Sequence, residues 1–383
     1  MQKKTLKVCS LLFLSFLSIN CQDKPEKKQE QENKKETVSL KNVFKDDFYI
    51  GAALNDDHIN GTDSLGINLL KEQFNTITPE NVMKWMYIHP QRDTFYFDTS
   101  DKYVALGNDD KMHVVGHALV WHSQLAEWMT QVKDSAEMAT ILKEHISTIV
   151  SHYKGKIDAW DVVNEALNED GTLRESNFYN VMGDSYLELA FKEAAKADPD
   201  AQLVYNDYNL WKPEKRAGVV RLVKKLQESG AKIDGVGMQA HWSLLGPSIE
   251  DIENSIIAYS ELGVKVMFTE LDVTALPNPW DLDGAAVEQS YEQFEGDPTM
   301  NPYPNGMPDS VQTKLAKRYE DIFKLFLKHK DKISRVTFWG VQDGQSWLNG
   351  WPISGRTNHP LLFDRQYHPK KAYDAVIDLK EKH

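Results

Sequence analysis

From residue 40 onward, short apolar runs alternate with longer amphipathic stretches, the rhythm of repeated β-α units on a parallel sheet. Runs at 48–54, 74–77, 113–120, 157–163, 203–206, 235–239, 264–269 and 335–339 predict eight strands. Between them, 135–152, 186–197, 214–229, 249–262 and 310–329 predict helices, several with apolar residues at three- and four-residue spacing. Gly230 and Gly263 punctuate the ends of two of these. Eight strands alternating with helices imply closure, so the expected fold class is α/β, a (β/α)8 TIM barrel in one domain over 40–383. The stretch 274–309 breaks the rhythm with Pro277, Pro279, Pro298, Pro302, Pro304 and Pro308, and reads as a long loop after the seventh strand.

The first residues read differently. Lys3, Lys4 and Lys7 precede an apolar run from Val8 to Ile19, too short to span a bilayer and flanked like an export leader, 1–20. Cys21 follows at the place of a bacterial lipoprotein cysteine, so lipidation there is expected. Residues 22–36 are almost all Lys, Glu, Gln, Asn and Asp, which cannot bury enough apolar surface to fold, and 21–39 reads as a disordered tether. The chain would thus be secreted and lipid-anchored in a bacterial envelope, touching the membrane through that anchor only. Cys9 and Cys21 are the only cysteines, which leaves the barrel without a disulfide framework or a cysteine metal site.

A formal charge of −13 argues against a phosphate backbone as partner, since nucleic-acid binding needs a basic face. Ten Trp and 15 Tyr suit a ligand with apolar faces and polar edges, such as a sugar, although large cores also use these residues.

Candidate chemistry clusters at strand ends. The fourth run closes on Asn164-Glu165, the sixth on Gln239-Ala240-His241, and the seventh on Glu270-Leu271-Asp272. A barrel carries such ends to one rim, and two carboxyls facing across a cleft are what glycoside hydrolysis requires. Glu165 would then need a raised pKa to donate a proton, with the charge on Glu270 as the expected cause. Glu270 would need to be ionised. His241 and Asp272 are candidates to orient Glu270, because residues two apart on a strand share a face. Alone, each motif is weak, since a solvated glutamate at a strand end gives the same letters. His117 and His122 lie five residues apart across a strand end with no carboxylate at metal-ligand spacing, so no metal or other cofactor is expected, and His122 reads as structural, as does His58.

Taken together, the blocks FNTITPENVMKW (74–85), GHALVWHSQ (116–124), WDVVNEA (160–166), YNDYN (205–209), GVGMQAH (235–241), TELDV (269–273), FWGVQD (338–343) and PLLFD (360–364) resemble family 10 of the glycoside hydrolases. That family comprises endo-β-1,4-xylanases on a (β/α)8 barrel. The resemblance implies a retaining double displacement with Glu165 as acid/base and Glu270 as nucleophile. It implies that Asn164 binds the hydroxyl beside the anomeric carbon, with His117, Trp121, Gln239 and His241 around the same sugar. Glu80, Asn81 and Lys84 match contacts one subsite further from the cut on the glycone side, and Trp339 and Trp347 match the pair that walls that side. Gln124 and Tyr208 are also assigned to substrate. Xylan and xylo-oligosaccharides are the implied partners, and a monomer is expected. Gln342 departs from the family's frequent Ser, and the loops at 274–309 and 348–359 are extended, which touches chain-length preference rather than the carboxylates. Two alternatives stand beside this reading: a barrel hydrolase of β-glucan, and a glycan-capturing lipoprotein without catalysis.

Overall fold

A computed structural model describes residues 38–279, 282 and 287–381, so the leader, Cys21 and most of the tether lie outside the described residues. Strand β1 (Tyr49–Leu54) pairs in parallel with β2 (Thr76–Pro79), and the ladder continues through β3 (His113–Trp121) and β4 (Ala159–Asn164). It proceeds through β5 (Gln202–Asp207), β6 (Gly235–Met238), β7 (Lys265–Thr274) and β8 (Ile333–Phe338). Strand β8 pairs back onto β1, with Gly51 opposite Thr337, and the eight-stranded parallel barrel is closed.

Every residue of β2, β4 and β6 is buried, as expected where helices cover one face and interior side chains fill the other. Close packing fixes some letters. A Cβ on Gly116 would fall 2.2 Å from the Trp160 ring, so only glycine lets that indole fill the interior.

The surrounding helices follow their apolar stripes. Ser135–His152 buries Met138, Ile141, Leu142, Ile146, Ile149 and Val150, and it starts where the Asp134 carboxylate accepts the Glu137 N–H at 2.8 Å. Pro213–Glu228 opens on a proline, whose missing N–H lies where a helix has no acceptor anyway. Asp309–Lys328 packs Tyr319, Phe323 and Phe326 inward, and Phe326 stacks on Phe268 of β7 at 3.9 Å.

One strand end departs well beyond expectation, and it matters for the site. Strand β7 runs to Thr274 instead of stopping at residue 269, which puts Glu270 and Asp272 within the strand. The reason is extra pairing: a short strand, His241–Ser243, lies parallel to 272–274, and the Trp339 N–H donates to the Leu271 carbonyl at 3.1 Å.

Candidate active site

Asn164 closes β4, and Glu165 leaves the strand with φ 58°, a left-handed backbone that side chains other than glycine seldom adopt. The Glu165 N–H donates to the Asn206 carbonyl at 2.8 Å, and Arg174 Nε donates to the Glu165 carbonyl at 3.1 Å. Strain held by its surroundings in this way aims a side chain. Here it aims the Glu165 carboxyl at the barrel mouth, where Oε2 accepts from Trp121 Nε1 at 2.8 Å and Oε1 from Gln239 Nε2 at 2.8 Å and Asn164 Nδ2 at 3.2 Å.

Glu270 reaches the same space from β7. Its Oε1 accepts from Asn206 Nδ2 at 2.8 Å, and that amide also donates to Asn164 Oδ1 at 2.9 Å. The Thr269 hydroxyl donates to Asn206 Oδ1 at 2.6 Å, which turns the NH2 of Asn206 toward its two acceptors. A Cβ on Gly237 would stand 2.4 Å from that same Oδ1, so the glycine makes room for the amide. Side-chain amides of Asn164 and Asn206 therefore connect one carboxyl to the other.

His241 backs Glu270. Its Nε2 lies 3.1 Å from Glu270 Oε2 and its Nδ1 3.0 Å from Asp272 Oδ2, while Trp347 Nε1 donates to the same Asp272 oxygen at 2.8 Å. Burial alone would favour a neutral ring, but the two carboxylates outweigh it and push the His241 pKa up to about 10. Only the imidazolium can give a hydrogen to both neighbours.

The two glutamates, 4% and 5% exposed, are displaced in opposite directions. Burial pushes Glu165 up, Asp207 adds to that, and His122, Gln239 and Trp121 oppose it only partly. Burial also pushes Glu270 up, but the His241 bond, the charges of His117 and His241, and the Asn206 amide bring its carboxyl below the ordinary range.

Both glutamates line one cleft of about 180 Å³, together with every residue expected to touch substrate except Tyr208. Within it, Lys84 Nζ donates to Asn81 Oδ1 at 3.0 Å and sits 4.8 Å from the Trp121 ring centre. Burial lowers the Lys84 pKa against the pull of Glu270, Glu80 and Glu165. Burial lifts Glu80 to about 7 despite Lys84 nearby. His117 Nδ1 donates to Asp161 Oδ2 at 2.9 Å, leaving Nε2 for the cleft, and its ring meets Trp339 edge-on at 5.6 Å.

Four placements differ from the sequence reading. Tyr208 does not face the cleft: it is 3% exposed, accepts from Arg174 at 2.8 Å and carries Lys215 over its ring at 3.7 Å, bracing the turn beyond Glu165. His122, read as structural, lies 3.9 Å from Glu165 Oε2 and binds Glu288 of the long loop at 3.0 Å. Asp272 reaches Glu270 only through His241. Asn206 was not expected at the site; its place in the block beside Asp207 was the available signal, but the letters alone do not say which carboxylate an amide meets.

Comparison with known proteins agrees with this geometry. The family model for glycosyl hydrolase family 10 matches residues 39–379. Endo-1,4-beta-xylanase A of Xylanibacter ruminicola is 44% identical over 348 residues, 90% of this chain and 94% of that protein. Endo-1,4-beta-xylanase of Geobacillus stearothermophilus is 39% identical over 348 residues, 89% of this chain and 98% of that protein. Among solved structures, a GH10 endoxylanase retrieved from a sugarcane soil metagenome superposes with a TM-score of 0.84 at 43% identity, covering 90% of this chain and 99% of that one. Xylanase 10B from Thermotoga petrophila RKU-1, solved in complex with xylobiose, gives 0.79 at 34% identity, covering 90% and 98%. A closed parallel barrel with this rim, matched by that model over most of its length, shows that the chain belongs to glycosyl hydrolase family 10.

Proposed function

We propose that the chain hydrolyses internal β-1,4 bonds of xylan by retaining double displacement, with Glu165 as acid/base and Glu270 as nucleophile. The observation that carries these roles is the opposite displacement of two equally buried carboxyls at one cleft. The ionised Glu270 attacks the anomeric carbon while Glu165 gives its proton to the leaving oxygen, and the C–O bond between sugars breaks. Once Glu270 is esterified its charge is gone. Glu165, now a carboxylate, takes a proton from water, which attacks the same carbon and releases the sugar with its configuration kept.

Asn164, held between Glu165 and Asn206, offers its amide to the neighbouring hydroxyl, a contact that strengthens as the ring gains positive charge. His117, Trp121, Gln239 and His241 surround that sugar. Glu80, Asn81, Lys84 and Gln124 bind the next one, and Trp339 and Trp347 wall the same side. Asp272 holds His241. Xylan rather than β-glucan is favoured by the names of the two relatives given above, both endo-1,4-beta-xylanases. The test follows the first product by NMR: xylan should release the β-anomer first, faster than mixed-linkage glucan releases any. Initial α-anomer, or preferred glucan cleavage, would contradict the proposal.

We also read 1–20 as an export leader, 21–39 as a tether lipidated at Cys21, and 40–383 as the catalytic domain of a secreted monomer. The leader-like charge and apolar run support the first two, and the family match from residue 39 supports the third. Fatty-acid labelling that persists in Cys21→Ser would contradict the anchor.

A further inference from the structure

The residues that line the cleft serve the sugar at the cut and the next one on the Lys84 side, so a longer bound chain must run out over the rim. Lys84, which lines the cleft with Glu80 and Asn81, leads directly into the short helix Trp85–Ile88. The Met86 N–H donates to the Gln124 carbonyl at 3.0 Å, and Gln124 lines the cleft, so helix and cleft wall are continuous. Gln124 Oε1 is buried there without a hydrogen-bond partner among the described residues.

This helix buries Trp85 and Ile88 but leaves Met86 41% and Tyr87 47% exposed. Tyr96 comes alongside, its N–H donating to the Ile88 carbonyl at 2.9 Å. Its neighbours Phe95 and Phe97 stack on His89 and His152, whereas Tyr96 is 55% exposed. Among the described residues only Tyr49 is a comparably exposed tyrosine, and it stacks on His113 at the opposite end of the barrel. The Tyr87 and Tyr96 side chains have neither a hydrogen bond nor a ring partner among the described residues. Folding leaves both rings unused beside the exit of a polymer-binding cleft. A pyranose fits such a surface, since its C–H face packs on an aromatic ring while its hydroxyls stay in water.

We propose that Tyr87 and Tyr96, with Met86, form a further sugar-binding platform that takes the xylan chain beyond the Lys84 end of the cleft. The inference rests on the xylanase reading above, and the family's polarity puts these sugars on the non-reducing side of the cut. The test compares two substrates of the full chain: an aryl β-xylobioside, whose two sugars end at Lys84, and xylohexaose. The double variant Tyr87→Ala with Tyr96→Ala should leave kcat/KM on the xylobioside within twofold. On xylohexaose it should fall about fivefold to tenfold, the worth of one or two stacked rings. Replacing both by Phe should preserve the value for xylohexaose, because the contact uses the ring. An unchanged xylohexaose rate in the alanine variant, or an equal loss on both substrates, would overturn the platform. A wild-type enzyme that cleaves neither would overturn the xylanase reading instead.

Discussion

Glu165 and Glu270 sit at the same depth in the same cleft, and their partners still set them apart. Around Glu165 the direct donors are neutral: an indole N–H and two amides. Around Glu270 the decisive donor is an imidazole wedged between two carboxylates. Burial raises both carboxyls, so the difference lies in whether a charged donor is there to overcome it. A protein needs no unusual residue to make an acid and a nucleophile from one amino acid. It needs one buried histidine bonded directly to one of them.

That contrast can be broken at either carboxyl. Replacing the proposed nucleophile is the most severe: Glu270→Ala should lower kcat on every substrate, activated or not, by roughly 10⁴-fold or more. Glu165→Ala should fall by about 10²- to 10⁴-fold on xylan, yet lose little in the first step with an aryl xylobioside whose leaving group needs no proton. Similar losses on both substrate types would erase the distinction in roles.

Two milder changes sharpen the contrast through pH. His241→Asn removes the cation that favours ionised Glu270, so the Glu270 pKa rises and the acid limb of kcat/KM moves up by about one unit, equivalent to about 1.4 kcal/mol. Trp121→Phe removes a neutral donor that favours the carboxylate form of Glu165, so the alkaline limb also moves up, by about half a unit. The first change narrows the active range and the second widens it. An acid limb unmoved in His241→Asn would mean that burial, not the histidine, governs Glu270.

Much of this was legible in the chain, and the failures share a cause. Strand positions followed from apolar runs of the right length, and most lie within two residues of expectation. Strand β7 ran longer because its extension pairs with His241–Ser243, a partner brought in from another β-α unit. Glu165 and Glu270 could be singled out because carboxyls at strand ends of a barrel converge on one rim. What letters do not encode is which groups face each other across it. Asn206 looked like part of a motif until its amide met Glu270, and His122 looked structural until it came beside Glu165. Tyr208 belongs to the same block as Asn206 but turns behind the site onto Arg174 and Lys215. The raised pKa of Glu165 was foreseen, whereas its leading cause, burial, depends on the packed barrel and replaces the expected influence of Glu270.

The division of labour between the two glutamates is tested most directly by trapping the covalent intermediate. Glu165→Ala, mixed with a dinitrophenyl xylobioside, should accumulate a glycosyl-enzyme, because the good leaving group departs without an acid while no base remains to activate water. Digestion and mass spectrometry should find the added xylobiosyl mass on the peptide containing Glu270. Label on any other carboxylate, or a burst of dinitrophenol with no covalent sugar on the protein, would contradict the account.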